Sequence, residues 1–180
     1  AVSWGDLRVN ANIVDYMNAY GDPRMPKFFN KSTLAGKTDK YVGMRTGDAD
    51  FKKADAAGFS IPAYTATSKL MVFCAAETAF LRAEGKLRGK NFQRVITQKW
   101  IANYPLGLEA WAEYRRTGYP ELYPCIDNLS DCGVSSQRGM RRLSFPYTEA
   151  QNNKANYDLG VAELGGADNE ATDLKWAKKN

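Results

Sequence analysis

Histidine is absent from the 180 residues. That removes the commonest general base, the commonest zinc ligand and every Ser-His or Cys-His nucleophile arrangement. A carboxylate-based enzyme stays open. Cysteine is scarce, at three, and the three differ in setting. Cys74 lies in a helical, apolar context and reads as a small buried hydrophobe. Cys125 and Cys132 flank a Pro-, Asp- and Gly-marked loop short enough to close a disulfide in an oxidising setting. No run approaches the roughly 20 apolar residues that a membrane span needs. Ala1-Val2-Ser3-Trp4 has neither a basic n-region nor an apolar h-region, as expected also of a mature or truncated chain. Basic blocks are missing too. The net charge of +5 comes from 25 basic and 20 acidic residues, with the excess in the middle third and no stripe of the kind nucleic-acid binders gather. Nucleic acid is therefore not expected as a partner.

What is present suits one ordinary domain with a real core: 44% hydrophobic residues and a mean hydropathy of −0.51. The organising stretch runs from Gln98 to Pro120. Ile96, Trp100 and Tyr104 fall on one helical face at steps of four, with Lys99 and Asn103 beside them. Pro105 cannot continue that helix, and a corner at 105–107 leads into a second one starting near Leu108. Gly118 stands where a left-handed C-cap falls, and Pro120 prevents resumption. Trp111 and Arg115 are one turn apart, so guanidinium can stack on indole, and Glu113 can pair with Arg116. Aromatics at helical spacing usually pack, which makes Trp100 and Trp111 core and Arg115 and Arg116 anchors, with Trp→Ala expected to cost about 3–5 kcal/mol. A ligand platform is the alternative.

Elsewhere, a short helix is expected around 12–19, with Asn10 or Asn12 as N-cap and Gly21 as stop. Asp22-Pro23-Arg24 reads as a turn in which Asp22 bonds the backbone and Arg24 braces a neighbour. Residues 30–67 look loop-like, with a short strand near 40–45, and their Tyr41, Phe51, Phe59 and Tyr64 either stack on sugar rings or pin the loop. Asp48, Asp50 and Asp55 miss the EF-hand spacing, because Lys52 and Lys53 stand where ligands and glycine belong; a structural calcium of another kind stays open, and no cofactor is expected. A helix is expected over 68–88, capped by Ser68 and ended by Gly89. Its Glu77 and Glu84 lie about 10.5 Å apart by helical rise, too far for a pair acting on one glycosidic bond, so pairing with arginines such as Arg115 or Arg142 is expected. Residues 141–146 read as extended, followed by short helices near 148–153 and 157–164 and a stop at Gly165-Gly166. No 34-residue repeat is visible.

The stretch QKWIANYPLGLEAWAEYRRTGYPEL at 98–122 resembles the signature of the SusD/RagB family of surface glycan- and nutrient-binding lipoproteins. GDPRMPKFF at 21–29, Tyr41-Val42-Gly43, AAETAFLRAEGKLRG at 75–89, RRLSFPYTEAQNNKANY at 141–157 and GGADNEATDLKW at 165–176 agree in the same order. In the last block Lys175-Trp176 replaces the family's paired tryptophans. The resemblance implies a mainly α fold: a tetratricopeptide-like helical scaffold with long irregular loops and little β. It implies that residues 1–180 form a single C-terminal region of a longer chain, with further sequence normally present between 90 and 91. It implies non-catalytic capture of an oligosaccharide or similar nutrient at the outer-membrane surface, and delivery to a SusC-like TonB-dependent transporter. Anchorage would be through a lipidated N-terminal cysteine that this chain lacks. The alternatives are an all-α carbohydrate-active enzyme and a helical-repeat protein adaptor. Trp4 and Tyr41, aromatics outside the evident helices, are the expected glycan-facing residues.

Overall fold

The computed structural model describes residues 5–47, 52–69, 75–86 and 90–177. Trp4, Asp48, Asp50, Phe51, Cys74 and Gly89, each given a role above, lie outside them. Asn10 opens the first helix, α1 (Ala11–Ala19): it is extended, and its Oδ1 accepts from the Asn12 N–H at 2.9 Å. Gly21, at φ 58°, ends the segment in the left-handed region. The Asp22 carboxylate then accepts from the Arg24 N–H, and the Arg24 guanidinium bridges that carboxylate to Gln98 Oε1 at 3.0 Å. This turn launches α2 (Met25–Phe28), with Pro26 in its first turn, where a missing N–H costs nothing. Strand β1 (Phe29–Asn30) pairs antiparallel with β2 (Ile61–Pro62), Phe29 opposite Pro62. Pro62 has no N–H to donate, which keeps the ladder short.

Near 40–45 the expected strand is reduced to an isolated bridge between Asn10 and Met44. Backbone bonds nonetheless lace three extended pieces together: Val9 N–H to Ser60, Met44 N–H to Val9 and Ser60 N–H to Val42. Gly43 is required by that approach, because a Cβ there would lie 2.5 Å from Ala11 Cα. The helical side of the fold follows: α3 (Ala75–Glu84), α4 (Lys90–Ala102) and α5 (Gly107–Thr117). α3 packs on α4 and α4 on α5. Gly118 caps α5 at φ 75°, its N–H reaching Tyr114 O. Then α6 (Tyr147–Asn152), α7 (Lys154–Leu164) and a 3-10 turn (Lys175–Ala177) complete a mainly helical fold. The core joins Val9, Ile13, Val14 and Met17 to Met25, Phe29 and Ile101. Phe29 and Met17 are almost fully withdrawn from water, each contributing about 1.5–3 kcal/mol.

Two further expectations change. Cys125 and Cys132 are free thiols. The loop is closed without them, by Cys125 N–H on Ser136 O at 2.9 Å and Asn128 Nδ2 on Val134 O at 2.6 Å. Their sulfurs turn apart, Cys125 towards Asp127 O and Cys132 towards Glu170 Oε2. Glu84 meets neither Arg115 nor Arg142 but Arg116, at 2.5 Å, and Lys99, at 3.5 Å. The start of the helix that Ser68 is expected to cap lies outside the described residues; Ser68 Oγ itself accepts from the Thr65 N–H.

Candidate functional site

Trp100 and Trp111 are half-buried rather than core. Trp100 packs on the core cluster with one face and meets Tyr16 edge-on at 6.4 Å. Both tryptophans also line a cavity of about 790 Å3, inside the roughly 300–1,000 Å3 span of ligand clefts. One wall is the α4–α5 corner. Asn103, Tyr104 and Leu106 come from the turn, and Ala110, Trp111 and Tyr114 share a face of α5. The segment leading into α1 and the loop at 122–140 form the facing wall.

The aromatic side chains are held in place rather than left to pivot. Trp111 Nε1 donates to Met140 O at 3.1 Å, and the Tyr114 hydroxyl donates to Gln137 O at 3.2 Å. Tyr64 stacks on Tyr104 at 5.9 Å and 26°. Tyr104 in turn packs on Phe28 at 4.9 Å and Phe29 at 5.2 Å. Burial first, and then the Tyr64 hydroxyl, hold the Tyr104 phenol well above its ordinary pKa. Burial also raises Tyr114, against the opposing charges of Arg141 and Arg138. Both phenols are therefore neutral hydrogen-bonding groups at physiological pH. Asn103 is half-buried in the lining, and its carboxamide has no protein partner among the described residues. A free amide beside aromatic faces suits a polyhydroxylated ligand with apolar C–H faces.

Behind Trp111 stands a layer of paired charges. The Arg115 guanidinium lies 3.7 Å from the Trp111 ring centre and 5.1 Å from that of Trp176. Arg115 Nη1 donates to Arg141 O at 2.8 Å, and Arg141 Nη2 returns a bond to Arg115 O at 2.9 Å. Burial, then the charge of Arg141, lowers the Arg115 pKa from its ordinary value. Asp173 joins Arg141 to Arg138, at 2.5 and 2.6 Å. Asp168 gathers Arg142, the Phe145 N–H and the Tyr157 hydroxyl. Arg116 is exposed and pairs with Glu84 and Glu113.

The family described as SusD-like, Susd and RagB outer membrane lipoprotein, matches residues 1–93 and 89–177. The chain belongs to the SusD/RagB family. A solved SusD homolog from Bacteroides uniformis is similar over 94% of the chain and 49% of its own length, at 32% identity and a TM-score of 0.85. A SusD-like protein from Bacteroides thetaiotaomicron is also 32% identical, over 98% of the chain and 52% of its own, with a TM-score of 0.85. A chitin-binding SusD homolog from Flavobacterium johnsoniae is 27% identical over 96% and 50%, with a TM-score of 0.81. The chain thus spans about half the length of these solved relatives. No protein of curated function matches.

The two expected glycan-facing residues fare differently. Trp4 lies outside the described residues. Tyr41 does not line the cavity; it packs against the core and meets Phe29 edge-on at 6.5 Å. Asp55 Oδ2 accepts from the Lys52 N–H. The residues that do line the cavity include Tyr114, Tyr123 and Gln137, none of which the linear pattern singles out. Only the Trp111–Tyr114 spacing hints at a shared face; the rest arrives from loops far away in sequence.

Proposed function

We propose that this chain is part of a cell-surface protein that binds oligosaccharide without altering it and passes it to a TonB-dependent outer-membrane transporter. The observation that carries the reading is the cavity itself: rigidly held Trp111, Tyr114 and Tyr64 beside the amide of Asn103, which has no protein partner among the described residues. Aromatic faces supply stacking surface and Asn103 supplies donors and an acceptor for hydroxyls. The cavity's described lining contains no Asp or Glu, so it offers no carboxylate pair for glycosidic cleavage. The chitin-binding relative supports a saccharide ligand. The chain is proposed as the C-terminal region of a longer, lipid-anchored protein, with additional family sequence falling between 90 and 91. The two family matches meet at that place.

Calorimetric titration of the full-length protein with a panel of chito-, xylo-, malto- and galacto-oligosaccharides tests the binding step. Asn103→Ala is expected to weaken the best ligand by about 1–3 kcal/mol, with the saccharide recovered intact. A hydrolysed product, or no binding across the panel and its acidic counterparts, contradicts the reading. Delivery is tested separately, by affinity purification from mildly solubilised outer membranes. A large β-barrel transporter is expected in the eluate; its absence removes the delivery step.

A further inference from the structure

A second recess, of about 380 Å3, opens beside the aromatic cavity and shares Arg8, Val9, Asn10 and Thr46 with it. Its remaining walls are Met44, Arg45 and Gly47. Two of these groups carry charge, and both charges are positive. Arg8 is half-buried and spends its Nε on Ala56 O at 2.6 Å and its Nη1 on Gly5 O and Leu7 O at 2.7 and 2.8 Å. Arg45 donates one Nη2 bond to Pro124 O at 3.1 Å, and its guanidinium lies 4.6 Å from the centre of the Tyr123 ring. Every one of those partners is neutral. Arg24, Arg116, Arg138, Arg141 and Arg142, by contrast, each meet a carboxylate. Of the described acids on the adjoining segments, Asp6 pairs with Lys53, Asp15 accepts from the Tyr123 hydroxyl, and Asp127, whose N–H reaches Gly47 O, has partners of its own. Among the described residues, Nη2 of Arg8 and Nε and Nη1 of Arg45 have no protein partner. Thr46 Oγ1 accepts from Asn10 Nδ2 at 2.8 Å, which leaves its hydroxyl proton free to donate.

We propose that this recess is an anion subsite, and that the groove takes oligosaccharides bearing a carboxylate or sulfate group seated between Arg8 and Arg45. The proposal rests on the saccharide reading of the adjoining cavity and narrows its ligand class. Guanidinium groups match the two oxygens of a carboxylate or sulfate in fork geometry. Both arginines are already held, one by three carbonyls and the other on a tyrosine face, so little side-chain freedom is lost on binding. Tyr123 belongs to the cavity wall and carries Arg45, so a ring lying on the aromatic surface can place a charged substituent in the recess.

The test is calorimetry on the full-length protein with two matched pairs: trigalacturonate against its carboxyl-reduced trisaccharide, and a sulfated chondroitin tetrasaccharide against its desulfated form. At least one anionic member is expected to bind about ten-fold more tightly than its neutral counterpart. The pair that shows the preference identifies the anionic group. Arg45→Gln is expected to abolish most of the ratio, and Arg8→Lys to reduce it, with folding checked by circular dichroism. Lys31→Gln, an exposed charge outside both recesses, is expected to leave the ratio unchanged. Equal affinity for charged and neutral members leaves saccharide binding standing and overturns the anion subsite. So does a preference that survives both arginine variants, or one that Lys31→Gln lowers as much as Arg45→Gln, which marks general surface charge. Binding of none of the four overturns the subsite.

Discussion

Trp111 is held by the Arg115 guanidinium against its face and by its own Nε1 bond to Met140 O. Its replacement by Ala removes one cation–π contact and one hydrogen bond from a half-exposed position. The expected cost in urea unfolding is therefore about 2–3 kcal/mol, less than a core tryptophan's. Trp100 has a face in the core, and Trp100→Ala is expected to cost about 3–5 kcal/mol. Equal costs for the two would place Trp111 in the core after all. Gly43 in the loop region is pressed against backbone. Any Cβ there meets Ala11 backbone at 2.5 Å, and backbone cannot swing aside as a flexible side chain can. Gly43→Ala is expected to lower stability by about 1–3 kcal/mol; an unchanged midpoint would show that the 9–11 and 42–44 segments separate easily.

At the scale of elements, Lys99 ties three helices together. Its ammonium reaches Glu113 at 2.9 Å and Glu84 at 3.5 Å, and Arg116 closes the cluster from outside. Lys99→Met strands two carboxylates with one cation, and about 3–5 kcal/mol is expected to be lost. The double variant Lys99→Met/Glu113→Leu is expected to recover much of it; failure to do so would deny the coupling. These contacts also explain which parts of the chain were legible in sequence. Asn10, Gly21 and Gly118 act on backbone within a few residues of themselves, so α1 and α5 follow from local chemistry. The partners of Glu84 were not readable, because Arg115 and Arg116 are adjacent and only the phase of α5 decides which one faces α3. The disulfide expectation failed for a related reason. Loop length allows closure, but Asn128 and Ser136 do the closing. The cavity was the least legible feature, since its two walls lie far apart along the chain.

Among the described residues, Asp22, Asp168 and Asp173, together with Glu170, are held below their ordinary values and carry the acid response. Arg24's hydrogen bonds hold Asp22 below the usual carboxylate range. For Asp168 and Asp173 burial works upwards, but bonds from Arg142 and from Arg141 and Arg138 outweigh it, and both are lowered. A depressed folded value means that acid protonates the unfolded chain first. Stability from the aspartates is complete above the ordinary Asp value of about 3.9 and is lost as pH falls through the folded values. The melting temperature is therefore expected to be insensitive to them between about pH 5 and 7 and to fall below about pH 4. Asp168→Asn should flatten that decline; an undiminished slope would assign it to other groups.

The cavity beside the α4–α5 corner is the proposed seat of the ligand. The most direct measurement is a crystal structure of the full-length protein with the tightest-binding oligosaccharide. A sugar ring on the Trp111–Tyr114 face, within hydrogen-bonding reach of Asn103, is the predicted result. A saccharide seated elsewhere, with the cavity filled by another segment of protein, would contradict it.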